Sequence, residues 1–303
     1  MYLKLILAYF SANILFNSSL YADDQNITPT QNNEQGVLDK ITPTADSSLE
    51  KKFNEQKKMG TIPNFVSLYK LNYVLPYYYT SSPYDSVYQG FTPNNQQVQS
   101  SEFKGQISVE VPLIKNLFYN EDMSINGAFT ELIYWQFYAE SQYFRETDAE
   151  ATLFFKYHFH QNWLFTAGFD HQSNGKGGEL ERSWNRVIGS FQFSGENFYV
   201  QTEFWGLVFQ AESSDLHNPG IERYLGHEDI LYAYKFYSLT ASMSVQNLES
   251  GMERGNYTFS LAYPVSEQLN FYAQYFNGYG QSLIEYDHRT QGAGIGVSFN
   301  NFL

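Results

Sequence analysis

The stretch Trp163-Leu164-Phe165-Thr166-Ala167-Gly168-Phe169-Asp170-His171 decides the fold. In an extended chain successive side chains point to opposite faces. Trp163, Phe165, Ala167 and Phe169 therefore share one face with His171, while Asn162, Leu164, Thr166, Gly168 and Asp170 share the other. A bulky apolar face backed by a small or polar one suits a strand with lipid outside and a polar interior behind it. A tilted spanning strand needs about 9–11 residues, and this run supplies them.

The same texture continues outward from Phe65 to the end of the chain. Short runs rich in Tyr, Phe, Val, Leu and Thr are separated by Asn, Gly, Asp, Ser and Pro, without the long 3.6-residue stripes of a helical domain. Twelve segments read as strands: 66–79, 102–111, 124–138, 151–159, 162–171, 184–193, 196–209, 229–236, 239–247, 254–263, 268–278 and 290–301. In Tyr257-Thr258-Phe259-Ser260-Leu261-Ala262-Tyr263 the large side chains again take one face. In the segment starting at Gly292, Ala293, Ile295, Val297 and Phe299 alternate against glycine and serine. Tight connections such as His160-Gln161 and Gly195-Glu196 alternate with long polar ones at 80–101, 139–150, 172–183, 210–228 and 279–289. Short turns on one rim and long loops on the other, with an even strand count that closes the sheet, predict an all-β fold. The expected form is a twelve-stranded antiparallel transmembrane β-barrel of the outer-membrane type over 63–303. A secreted β-sandwich gives similar alternation, but strands of ten or more residues favour the membrane form. The last strand is expected to run into Asn300-Asn301-Phe302-Leu303, with Leu303 standing where such barrels commonly end in Phe.

Composition agrees with amphipathic strands. The chain has 303 residues with 26 Tyr and 26 Phe, yet its mean hydropathy is only −0.43. A net charge of −14 without a basic stripe argues against nucleic acid as a partner. The absence of cysteine excludes thiolate catalysis, disulfides and cysteine-held metals. At the start, Lys4 precedes a mostly apolar run from Leu5 to Phe16, and Ala22 precedes Asp23-Asp24. Residues 1–22 therefore read as a signal peptide, too short in their apolar part for a spanning helix of about 20 residues. Residues 23–62 read as a polar flexible segment with a short helix around Ser48 to Lys57.

The end of the deciding stretch carries candidate chemistry. His171 and Ser173 fall on one face, and Asn185 lies twelve residues beyond Ser173, where a hairpin partner strand would bring it back. A serine hydroxyl needs a base to take its proton, imidazole titrates near neutrality, and an amide oxygen can hold the ring. Strand parity puts this trio on the apolar face, the outside wall, where ester groups of the bilayer are within reach.

Three blocks carry a family resemblance: Tyr143-Phe144-Arg145-Glu146-Thr147; His171-Gln172-Ser173-Asn174-Gly175 with Arg182-Ser183-Trp184-Asn185-Arg186; and Gly278-Tyr279-Gly280-Gln281-Ser282-Leu283-Ile284-Glu285-Tyr286. From about Phe65 onward the chain closely resembles the outer-membrane phospholipase A family. That resemblance implies a calcium-dependent enzyme hydrolysing sn-1 and sn-2 acyl esters of phospholipids and lysophospholipids, active as a reversibly activated homodimer in the outer membrane. It implies Ser173 as nucleophile, His171 as general base and later acid, and Asn185 as the residue holding the imidazole. The oxyanion would be met by the Ser173 backbone N–H together with calcium or its bound water. Calcium ligands carried over by position are Ser141, Lys176, Gly178 and Glu181, the first from the loop before the Phe-Arg-Glu-Thr block.

The chain departs from the family at two of these places. Lys176, Gly178 and Glu181 stand for an arginine, an aspartate and a serine; main-chain carbonyls serve at the first two, and Glu181 offers a carboxylate in place of a hydroxyl. Glu131 replaces a glutamine that bonds across the dimer, so the carboxyl is either protonated and paired there or turned to the lumen. Arg145, Glu146 and Arg186 are expected in a charged network that closes the lumen, and His158, His160, His217, His227 and His288 as rim or loop residues. A non-enzymatic barrel, either a porin or a structural or adhesive protein, is the competing reading; it predicts an open conducting lumen.

Overall fold

The computed structural model describes residues 47–58, 66–209, 218–251, 253–300 and 302–303. The expected signal peptide and most of the segment 23–62 lie outside these. Twelve antiparallel strands form one closed wall: β1 (Tyr73–Thr80), β2 (Ser101–Lys115), β3 (Met123–Trp135), β4 (Phe144–His160), β5 (Trp163–Ser173), β6 (Ser183–Ser194), β7 (Phe198–Leu207), β8 (Glu228–Phe236), β9 (Leu239–Gln246), β10 (Asn256–Ser266), β11 (Leu269–Tyr279) and β12 (Arg289–Ser298). Each pairs with its neighbour in the chain, and β12 returns to β1 with Ala293 opposite Tyr79. No edge is left, the condition for a sheet in hydrocarbon.

The two faces are inverted relative to a water-soluble barrel. Phe129, Leu153, Phe169, Val187, Phe191, Phe204, Phe259, Phe271 and Ile295 are exposed on the outside. Ser108, Thr130, Thr152, Thr166, Ser190, Ser242, Ser260 and Gln274 are buried inside, many joined by cross-strand hydrogen bonds such as Ser108–Thr130 and Thr166–Ser190, both 2.7 Å. Polar groups that lipid would penalise satisfy one another in the lumen.

Candidate strand 66–79 and candidate loop 139–150 both differ from the sequence reading. Candidate strand 66–79 breaks into a short piece, Ser67–Leu68, and β1. The break is at Asn72, whose side chain donates to the carbonyls of Lys70 and Ser108 (both 2.9 Å) and accepts from the Ser108 N–H at 2.7 Å. A side-chain amide thus replaces the main-chain ladder, and Lys70 turns inward to Glu150 at 2.7 Å. The second difference is at 139–150, expected to be loop. There β4 begins at Phe144, because Glu146, Asp148, Glu150 and Thr152 alternate inward against Thr147, Ala149, Ala151 and Leu153. What reads as loop composition is a charged lumen face.

Both ends of the lumen are filled. At the tight-turn end the helix α1 (Ser48–Lys58) enters the mouth. Ser48 Oγ lies 2.7 Å from Ser194 Oγ and donates to the Phe302 carbonyl at 3.2 Å, and Ser47 Oγ donates to the Gln161 carbonyl. Leu49 packs with Leu164, Tyr199 and Ala233, and Phe302 folds inward to stack on Tyr199 at 6.0 Å. The expected run of the last strand to the end of the chain therefore stops at Ser298. At the long-loop end Leu283, Ile284, Tyr286, Leu180, Tyr88 and the short helix α2 (Ile221–Leu225) cover the interior. Between them is a cavity of about 450 Å³.

Candidate active site on the outer wall

Strands β5 and β6 meet in a register that places His171 opposite Asn185 and Ser173 opposite Ser183. The loop between them is held by one side chain. Asn174, 1 % exposed, accepts from the N–H groups of Arg182 (3.0 Å) and Lys176 (3.3 Å), and donates to the Leu180 carbonyl and to Glu146 Oε1, both 2.8 Å. Its own N–H reaches the Arg182 carbonyl at 3.1 Å. A loop closed in this way fixes the strand ends on either side of it.

His171 is exposed at the long-loop end of the outer wall, and its Nδ1 lies 2.8 Å from Asn185 Oδ1. The amide oxygen can only accept, so Nδ1 is the donor of this contact, and in the neutral ring the lone pair then falls on Nε2. Ser173 is half-buried on the same face of β5, and its hydroxyl is not hydrogen-bonded to the ring. Same-face neighbours on a strand have Cα atoms about 6.8 Å apart, a gap that serine and imidazole side chains span by rotamer choice. An oriented base beside a hydroxyl is a general-base arrangement. Below it on the same face lie exposed Phe169 and Val187, an apolar strip leading down the wall.

The carried-over calcium positions fall in two loops. Lys176, Gly178 and Glu181 share the Asn174-held loop; Gly178 has a φ of +63° and accepts the Glu181 N–H at 3.1 Å. Among the described residues no hydrogen bond or ion pair engages the half-buried Glu181 carboxylate. Carbonyl and carboxylate oxygens form a donor set that suits a hard divalent cation. Ser141 stands in the separate loop 136–143, where its carbonyl accepts from Gln96 Nε2 and its N–H donates to Gln96 Oε1 at 3.2 Å. The structure does not bond it to the other three.

The remaining candidates sort by face. Arg145 is buried with Glu102 at 2.8 Å and Glu285 at 3.2 Å, and Arg186 pairs with Asp170, so both arginines do belong to a lumen network. Glu131 stands on the outer wall, between Ile107 and Ala149 in register, and not in the lumen. His158 lies at the tight-turn rim, its backbone N–H donating to the Asp122 carbonyl at 3.0 Å and its side chain buried against the cavity, while His288 stacks on Tyr84 at 4.3 Å. His217 lies outside the described residues. Sequence reasoning passed over Asn174 as a site residue and placed Glu146 only in the lumen network. Their adjacency to Ser173 and to Arg145 was the available signal, but a side chain folding back on its own loop leaves no periodic trace. Tyr88 donates to Glu146 Oε2 at 3.2 Å, and burial pushes its phenol well above the ordinary range, so it remains a donor.

The sequence matches the family model described as Phospholipase A1 over residues 49–299. The chain belongs to the phospholipase A1 family. It is 29% identical over 242 residues to the phospholipase A1 of Proteus vulgaris, covering 77% of this chain and 81% of that one. Against the phospholipase A1 of Escherichia coli strain K12 it is 28% identical over 246 residues, covering 74% and 82%. Its fold superposes on outer membrane phospholipase A from Escherichia coli with a TM-score of 0.76 and 25% identity, over 85% of this chain and 100% of the other. A Salmonella typhi outer membrane phospholipase, solved as a dimer with bound calcium, gives 0.75 and 25% over 86% and 100%. The expected family and barrel are thus both found, and the chain is a phospholipase A1 barrel of the outer membrane.

Proposed function

We propose that this chain hydrolyses the sn-1 and sn-2 acyl esters of phospholipids and lysophospholipids in a calcium-dependent reaction, with Ser173, His171 and Asn185 as its triad. The observation that carries the reading is the 2.8 Å His171–Asn185 contact on the outer wall above an apolar strip. A lipid can bring its ester to that point while its acyl chain stays in hydrocarbon.

In the proposed reaction His171 Nε2 takes the Ser173 proton as Oγ attacks the ester carbonyl carbon. The oxyanion that forms faces the Ser173 backbone N–H. Collapse breaks the ester bond, and His171 returns the proton to the departing lysophospholipid or glycerol oxygen. His171 then draws a proton from water as the water oxygen attacks the acyl carbon, and it returns that proton to Ser173 Oγ as the acyl bond breaks and the fatty acid leaves. Asn185 holds the ring in one tautomer throughout without adding charge. Lys176 and Gly178 carbonyls, the Glu181 carboxylate and Ser141 would hold calcium at the interface of a dimer, where the ion supplies positive charge beside the developing oxyanion. The calcium-bound dimer of the Salmonella typhi relative supports this part. Reversible dimerisation in the membrane plane would then assemble the site, at the extracellular rim of the wall.

The filled ends of the lumen weigh against a conducting pore. Acyl release from phospholipid micelles by the purified barrel, with and without chelator and with Ser173→Ala, tests the proposal. Calcium-dependent activity that survives Ser173→Ala removes Ser173 as nucleophile; full activity in chelator removes the metal.

A further inference from the structure

We infer that Trp184 and Gln172 are positioning residues for the reaction, acting through the backbone behind His171 and Asn185; the inference rests on the triad proposed above. In the β5–β6 register the outer pair His171 and Asn185 lies between two inner pairs, Asp170 with Arg186 and Gln172 with Trp184. Both inner pairs are bonded. Arg186 Nε donates to Asp170 Oδ1 at 3.0 Å, and the Thr152 hydroxyl holds the other carboxylate oxygen at 2.9 Å. The Trp184 indole N–H donates to Gln172 Oε1 at 2.7 Å. The Arg186 guanidinium lies over the Trp184 ring at 4.3 Å, which joins the two pairs into one circuit on the lumen side.

Trp184 is 1 % exposed, meets Trp205 edge-on at 6.3 Å, and belongs to a buried cluster with Ile221, Leu225, Leu283 and Tyr286. The loops at that end of the barrel therefore brace the circuit from above. None of its members reaches the outer face, so none can touch substrate there. What they hold is the height and tilt of β6 against β5. That matters here because a neutral amide grips an imidazole less firmly than a carboxylate does. With a weak side-chain hold, alignment of Asn185 with His171 depends on the strands, and a one-residue slip would turn both to the wrong face.

Trp184→Phe and Gln172→Leu remove the same hydrogen bond from opposite ends. The test uses the full-length barrel in detergent with calcium, and kcat is expressed per Ser173 titrated with a fluorophosphonate. Each single variant is expected to lower kcat and the rate of Ser173 phosphonylation about tenfold, with KM unchanged, as small misalignments do. The double variant is expected to lose no more than either single one, since the bond can be broken only once. Wild-type kcat in both singles, additive losses in the double, or a change confined to KM would overturn the inference. If one single variant does not fold, the other gives the same reading alone. A Ser173→Ala barrel that still releases fatty acid would instead sink the triad reading, a separate outcome.

Discussion

The side-chain amide of Asn174 donates to Glu146 Oε1 across 2.8 Å, tying the loop after the proposed nucleophile to the buried start of β4. Through Asn174, Glu146 and Tyr88 a continuous chain of hydrogen bonds joins the proposed calcium loop to the ion-pair cluster around Arg145.

Asn174→Ala should therefore damage metal response and stability together. It leaves a buried carboxylate oxygen and two loop N–H groups short of partners, at a cost of about 1–3 kcal/mol. Thermal unfolding in detergent is expected to show the loss. Calcium titrations of acyl release should shift to higher concentration. Unchanged calcium dependence would mean that the loop holds its shape without Asn174.

At the proposed calcium site Glu181 would offer a charged oxygen in place of the hydroxyl that the family resemblance implies. Glu181→Ala is expected to raise the calcium concentration for half-maximal acyl release by roughly tenfold or more, the scale on which site residues act. Glu181→Ser should fall between the two. Equal calcium requirement in all three proteins would make Glu181 a bystander.

What the sequence made legible follows from period and parity. The outward run Trp163, Phe165, Ala167 and Phe169 placed His171 on the lipid face, and the structure keeps it there. Asn185 opposite His171 needed only a hairpin of plausible length. The first half of β4 was hidden because inward Glu146, Asp148 and Glu150 look like loop when their partners are unknown. Those partners, Lys70, Asn174 and the Leu283 N–H, come from residues far apart in the chain, and no local pattern announces them. The bend at Asn72 was hidden for the same reason, since its partner is Ser108.

In the proposed triad Asn185 orients the base and does not itself take a proton. Asn185→Ala removes one hydrogen bond worth about 0.5–1.5 kcal/mol, so kcat should fall roughly two- to tenfold. His171→Ala removes the base and should cost about 10²–10⁴. Asn185→Asp keeps an acceptor and should retain most activity. An alanine at 185 as damaging as one at 171 would assign Asn185 a larger part than orientation.

The clasp of α1 and Phe302 in the tight-turn mouth predicts a lumen that is shut by its own ends. Leu49→Asp puts a charge among Leu164, Tyr199 and Ala233, which should expel the helix. Conductance in planar bilayers is then expected to rise above that of the wild type. Acyl release should stay within about twofold, because the proposed site is on the outer wall at the other rim and distant changes act independently. No rise in conductance would show that the lumen side chains alone seal the barrel.

Glu131 faces outward between Ile107 and Ala149, on a wall that includes exposed Phe129. An ionised carboxylate there is expensive in lipid, though less so than the ~2–4 kcal/mol of a midplane lysine or arginine. If two copies associate through this wall, Glu131→Gln keeps the shape and removes the charge. The dimer fraction seen by sedimentation velocity in calcium-containing detergent should then increase, and the calcium needed to reach half-dimer should fall. A lower dimer fraction for Glu131→Gln would point the other way. The proton of a neutral carboxyl would then be the group that joins the two walls, and the amide would be the poorer substitute.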